Sequence, residues 1–136
     1  MRNSISPIIP VIAVALFASA ALAQDAKAKA EAFKQRMAQK LGTAVTVRGK
    51  MEEFKVGTAV LTDDGGEVML RATKDTRQDA LKQLNNWPLG TRIEVTGIIG
   101  FSPYWRAPTP LVSDVAEHHF IDLDATTTIR RLPVER

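Results

Sequence analysis

The stretch at residues 44–73, AVTVRGKMEEFKVGTAVLTDDGGEVMLRAT, decides the fold. Val45, Val47, Gly49 and Met51 alternate with Thr46, Arg48, Lys50 and Glu52, the period of two that turns one face of a strand to a core and the other to water. Asp63, Asp64, Gly65 and Gly66 then close a tight hairpin, because glycine accepts the positive φ such turns demand. A third strand carries Val68, Leu70 and Ala72 on one side and Met69, Arg71 and Thr73 on the other. The expectation is three consecutive antiparallel strands.

Residues 1–23 have the pattern of an export signal. Arg2 supplies the positive start, 8–22 is an apolar run without charge, and Ala21, Leu22 and Ala23 form the small-x-small pattern of a cleavage site. Cleavage is expected after Ala23. The competing reading is an uncleaved anchor, but the run is shorter than the ~20 residues that cross a bilayer, and Pro7 and Pro10 sit at its start. Cleavage leaves 113 residues, enough for one domain, and 17 basic against 15 acidic residues, a net charge of +2. So small an excess, in an exported chain, disfavours nucleic acid as the partner. The absence of cysteine excludes disulfides, thiolate metal sites, cysteine nucleophiles and a lipidated N-terminal cysteine. These features point to a soluble protein of the bacterial periplasm or the medium, the periplasm being the simpler expectation, with no stable membrane insertion after signal cleavage.

In 24–42, Ala26, Ala30, Phe33, Met37 and Leu41 fall three or four apart, one apolar stripe on a helix that Gly42 ends as a left-handed cap. The stripe suits packing against the rest of the domain, or a partner. A second helix is expected in 74–87, with Thr76 and Asp79 at capping-box spacing; Ala80, Leu81, Leu84 and Trp87 share one face, and Pro88 stops it at Asn85 or Asn86. A fourth strand follows, in which Ile93, Val95, Gly97, Ile99 and Phe101 alternate with Arg92, Glu94, Thr96 and Ile98. Gly97 is read as the bend of a small barrel. Pro103, Pro108 and Pro110 make 100–111 a long loop. A broken fifth strand is expected within 112–123, and 125–136 is either an extra edge strand or a tail.

Three strands, a helix and two strands is the order of the oligonucleotide/oligosaccharide-binding (OB) fold. The segments Val45-x-Val47-x-Gly49-Lys50, the hairpin from Leu61 to Val68, and Ile93-x-Val95-x-Gly97 resemble that superfamily. Together with the export signal they look like the small exported bacterial OB-fold proteins. The resemblance implies a mainly β domain at 43–124, a five-stranded Greek-key barrel with a helix between strands 3 and 4, preceded by an extra N-terminal helix. The loop with Tyr104 and Trp105 is longer and more aromatic than in the short exported members, and the tail beyond Leu123 has no counterpart.

In OB barrels the loops between strands 1 and 2 and between strands 4 and 5 flank the outer face of strands 2 and 3, the usual ligand groove. Tyr104, Trp105 and Arg106 are therefore candidate ligand-binding residues, the rings for stacking and the guanidinium for pairing with an anion. The competing reading folds Tyr104 and Trp105 back to cap the open barrel end. Arg48, Lys50 and Arg71, with Lys55, are candidates for a basic patch on the outer face, offset by Glu52, Glu53, Asp63, Asp64 and Glu67. The acidic hairpin is too short to supply a calcium ion's oxygens. His118 and His119, as neighbours on a strand, point to opposite faces and cannot share an ion. No nucleophile elbow, phosphate loop or catalytic triad is recognisable. The expectation is a non-enzymatic periplasmic binding or adaptor protein without cofactor or metal, whose partner is a small charged ligand, a glycan or an envelope protein. The alternatives are a nucleic-acid-binding barrel and a structural subunit of an envelope assembly.

Overall fold

A computed structural model describes residues 8–54 and 57–134, with side chains from residue 20 onward. Arg2, Pro7 and Lys55 of the sequence reading lie outside the described residues, as do the side chains of 8–19. The elements run α1 (Ile8–Ala38), β1 (Ala44–Phe54), β2 (Gly57–Thr62), β3 (Glu67–Arg71), α2 (Gln78–Asn86), β4 (Arg92–Ser102), β5 (His118–Asp122) and β6 (Thr128–Arg131). The protein is mainly β, with a six-stranded mixed sheet and two helices. No described helix is long and apolar enough to cross a membrane.

The sheet order is β1-β2-β3-β5-β4-β6, and β1 also pairs with β4, so five strands close a ring. All pairings are antiparallel except β3 with β5. The long first strand makes the closure possible: residues 44–50 pair with β4, and residues 49–54 pair with β2. Gly49 belongs to both ladders. A Cβ there would lie 1.9 Å from the Leu61 carbonyl oxygen, so only glycine lets the two strands approach where β1 changes partner.

Alternation fills the ring. Val45, Val47 and Met51 from β1, Val60 and Val68 from β2 and β3, Ile93, Val95 and Ile99 from β4, and Ile121 from β5 form one core cluster. Gly97 faces this core as expected, though for a packing reason: its Cβ position is taken by the Ile121 side chain at 2.5 Å and the Thr127 hydroxyl at 3.1 Å. β3 departs from simple alternation. Met69 is buried although it lies opposite to Val68 and Leu70, because the register Ala59↔Met69↔Phe120↔Gly100 lays a second row of apolar contacts on the outer face.

The helices close the two ends. Phe33 and Met37 of α1 join the core at the β2–β3 turn, where the Phe33 ring occupies the space a Cβ of Gly66 would need. The expected stripe is shorter than predicted: Ala26 and Leu41 are exposed. The helix ends at Ala38, and Gly42 (φ 79°) serves a later turn whose N–H donates to the Ile99 carbonyl, so Gly42 is not the helix cap. Leu84 of α2, with Leu81 and Trp87 packed beside it, plugs the opposite end. The expected capping box does not form. Thr76 Oγ1 instead accepts the Thr73 N–H at 2.6 Å, within the turn that precedes α2, and Arg77 stands at the N-cap without a side-chain capping bond. The C-terminal segment is the edge-strand alternative, β6, paired with β4.

Candidate binding surfaces

The segment between β4 and β5 is neither a free loop nor a cap. Ser102↔His118 is the last rung of the β4–β5 ladder, and Trp105↔Val115, three residues further along each chain, keeps the same register. Trp105 and Val115 exchange both backbone hydrogen bonds at 2.9 Å. The two chains thus leave the ring together as an arm. Asp114 fastens it: its carboxylate accepts the Tyr104 hydroxyl and, at 2.7 Å, the Ala107 N–H. These bonds hold the Asp114 carboxyl below the usual carboxylate range, the Tyr104 bond being the larger cause, and push the Tyr104 phenol up. Tyr104, Trp105, Arg106 and Val112 remain exposed, and Leu111 is 94% exposed. The reading in which Tyr104 and Trp105 fold back to cap the ring is therefore corrected; α1 already covers that end.

Arg71, at the end of β3, donates to Asp122 Oδ1 at 2.8 Å from Nε and stacks its guanidinium over the Phe120 ring, 3.4 Å from the centroid. Phe120 lies across Gly100, whose Cβ position is 2.4 Å from the ring. Sequence reasoning found Arg71 and missed Phe120. The available signal was Gly100, an outward glycine in an otherwise filled strand, which marks a neighbour lying flat against the backbone.

The other basic candidates are placed apart. Arg48 donates to Glu94 Oε2 across the β1–β4 ladder, and Arg130 of β6 reaches the same oxygen at 3.2 Å. The two guanidinium groups, Arg48 first, hold the Glu94 carboxyl below its ordinary value. Arg71 lines a cleft of about 500 Å³ beside α2, Lys50 one of about 480 Å³ at the foot of β4, and Arg48 one of about 500 Å³ beside α1. Tyr104, Trp105 and Arg106 line none of the three. The six candidates therefore do not converge on one groove: Tyr104, Trp105 and Arg106 share the arm, and Arg71 in its stack on Phe120, Lys50 in its cleft and Arg48 in the cleft beside α1 occupy three further places. His118 and His119 do face opposite sides of β5, His119 inward against Phe101. Comparison of the chain with protein-family models, with curated proteins and with solved structures found no match.

Proposed function

We propose that this chain is a non-enzymatic periplasmic binding or adaptor protein with an OB fold, and that the β4–β5 arm is its contact element. The fold assignment is supported by the ring order β1-β2-β3-β5-β4, by the parallel β3–β5 pair, and by the helix inserted between β3 and β4, the arrangement that defines OB barrels. The observation that carries the function is the arm itself. Exposed aromatic and aliphatic side chains are normally a cost to a soluble domain, and here a paired rung and a carboxylate clasp hold Tyr104 and Trp105 out in solvent. A stiff arm carrying two rings and Arg106 loses little conformational entropy when it meets a partner. Because the arm is a protrusion and lines none of the clefts described above, it suits an extended partner, a glycan chain or an envelope protein, better than an enclosed small molecule.

The test is a pull-down from envelope extract with the wild-type protein and with the Tyr104→Ala, Trp105→Ala, Arg106→Ala triple variant, read by mass spectrometry and glycan analysis. The expected result is a partner retained by the wild type and lost by a variant whose circular-dichroism spectrum is unchanged. An identical set of partners on both proteins overturns the proposal, as does a variant that fails to fold.

A further inference from the structure

The arm ends in a tip whose chemistry differs from that of its base. Between Arg106 and Asp114 the residues 107–113, Ala-Pro-Thr-Pro-Leu-Val-Ser, carry no charge. Residues 108–113 are all exposed, and Leu111, at 94%, is the most exposed large apolar side chain among the described residues. Val112 beside it is exposed too. Pro110 and Leu111 occupy the middle of a turn that the Val112 N–H closes on the Thr109 carbonyl at 3.4 Å, and proline in its second position fixes the backbone angle such a turn uses. Two aliphatic side chains are thus presented at the end of a stiff protrusion.

The backbone of the tip has given up most of its donors. In 107–112, Pro108 and Pro110 have no N–H, that of Ala107 is held by the Asp114 carboxylate at 2.7 Å, and that of Val112 by the turn. Unpaired backbone groups are what keeps most loops out of hydrocarbon, so this one is suited to leave water. At the base, Tyr104 and Trp105 are successive residues of a paired chain, and their rings leave on opposite faces of the arm. A flat partner touches one face of an arm, whereas a medium that the arm enters touches both. Continuing the Trp105↔Val115 register sets Arg106 across from Asp114, so that pair adds no net charge, and Glu117 follows on the ring side.

We infer that the tip enters the interfacial layer of a phospholipid bilayer, with Leu111 and Val112 against the acyl chains and Tyr104 and Trp105 at the level of the headgroups. Leu111 lies four residues before Val115, so the tip reaches at most about 13 Å past the rung at ~3.3 Å per residue. That span sets an apolar end about 5–10 Å into the headgroup and acyl boundary while the rings stay at the interface, where tyrosine and tryptophan are favoured. A stable protein interface draws about 20–30 residues from each side, far more than 108–113 offers. The contact is peripheral and reversible, since one short apolar tip gives marginal membrane binding. It rests on the arm being the contact element and adds the surface at which that element works.

The test follows tryptophan emission as the full chain is titrated with phosphatidylcholine vesicles, with and without phosphatidylglycerol. The chain has two tryptophans; Trp87 packs against the core at the α2 end and gives a constant background, and Trp87→Phe leaves Trp105 as the sole reporter. The expected result is a saturable blue shift of Trp105 on both kinds of vesicle, retained at about 0.5 M salt, where charge is screened within about 4–5 Å. Leu111→Asn with Val112→Asn, at two exposed positions, weakens it about tenfold or more. Residues 8–22 are common to every protein compared, so a difference between them reads the tip. The inference is overturned if Trp105 does not shift, if the double variant binds vesicles as the wild type does, or if binding requires phosphatidylglycerol and vanishes in salt. A protein from envelope extract whose retention depends on Leu111 and Val112 would overturn it as well, assigning the tip to a protein. A partner lost by the Tyr104, Trp105 and Arg106 variant and kept by the Leu111 and Val112 variant leaves the proposed function standing whichever way the vesicles answer.

Discussion

The guanidinium of Arg71 lies 3.4 Å from the centroid of the Phe120 ring, while its Nε donates to Asp122 on the same strand as the ring. One side chain therefore ties β3 to β5 across the parallel pair by both stacking and charge. At a partly exposed site the stack contributes about 0.5–1 kcal/mol. Arg71→Ala is expected to lower stability in urea by about that amount, and Arg71→Lys to recover less than half of it, because an ammonium cannot stack as a plane. Equal stability of all three proteins would show that the stack contributes nothing.

Two glycines are expected to rank in a definite order. A Cβ at Gly97 meets the Ile121 methyl at 2.5 Å, a side chain able to shift, whereas a Cβ at Gly49 meets the Leu61 carbonyl oxygen at 1.9 Å and the Leu61 carbonyl carbon at 2.6 Å. Backbone yields only by breaking the β1–β2 ladder. Gly97→Ala is expected to cost about 1–3 kcal/mol and Gly49→Ala more than that, enough to prevent closure of the ring. Urea midpoints and the near-ultraviolet spectrum check both.

Tyr104 is the one tyrosine of the chain, so absorbance at the phenolate band titrates the arm directly. Its bond to the Asp114 carboxylate pushes the phenol above its ordinary value of 10.0. In Asp114→Asn the titration is expected to fall back toward that value and the 103–117 amides to exchange faster, with the ring strands unchanged. A titration that does not move would mean that the clasp is absent in solution.

His119 gives the fold a pH dependence of known sign. It is 5% exposed, and its Nε2 has no hydrogen-bond partner among the described residues. Burial, and then Lys34 of α1, depress its pKa below 6.5; Glu117 opposes this and His118 adds to it. The native state thus holds the imidazole neutral, while the unfolded chain takes up a proton below about 6.5, so stability is complete above that value and falls as pH drops toward the depressed native pKa. Unfolding midpoints are expected to decrease between about pH 7.5 and 5.5, a range above the titration of Glu94, Asp114 and Asp124, whose pKa values are all lowered. His119→Phe should flatten that slope, and an unchanged slope would place its origin elsewhere.

The strands were legible because their inner residues are large and their outer ones polar: Val45, Val47, Ile93 and Val95 are buried as the period of two requires. The β6 edge strand, with β-branched residues on a threonine-rich tail, was legible as one of two alternatives. Three features were not legible, each for a tertiary reason. Met69 is buried on the outer face through its cross-strand neighbours, which no local pattern encodes. Thr76 resembles a cap by spacing, but its oxygen serves the Thr73 turn instead. The arm reads as loop because three prolines interrupt it; its pairing depends on Trp105 meeting Val115 ten residues away.

Whether α1 is part of the domain or a docking helix is decided by its apolar stripe. Phe33 is 2% exposed and occupies the space above Gly66, whereas Leu41, four residues beyond Met37 and placed by spacing on the same stripe, is 45% exposed because the helix has already ended at Ala38. A ring fully enclosed in this way leaves a cavity when truncated. Phe33→Ala is expected to cost about 3–5 kcal/mol, and Met37→Ala about 2–5 kcal/mol. Leu41→Ala, removing a side chain already half in water, should stay within about 0.5 kcal/mol. Gly66→Ala tests the same contact from the other side, since its Cβ would stand 2.1 Å from the Phe33 ring and force α1 to lift. It is expected to accelerate amide exchange in 24–38 selectively, the ring strands keeping their protection. Wild-type stability in Phe33→Ala would instead make α1 an appendage, its stripe free for a partner.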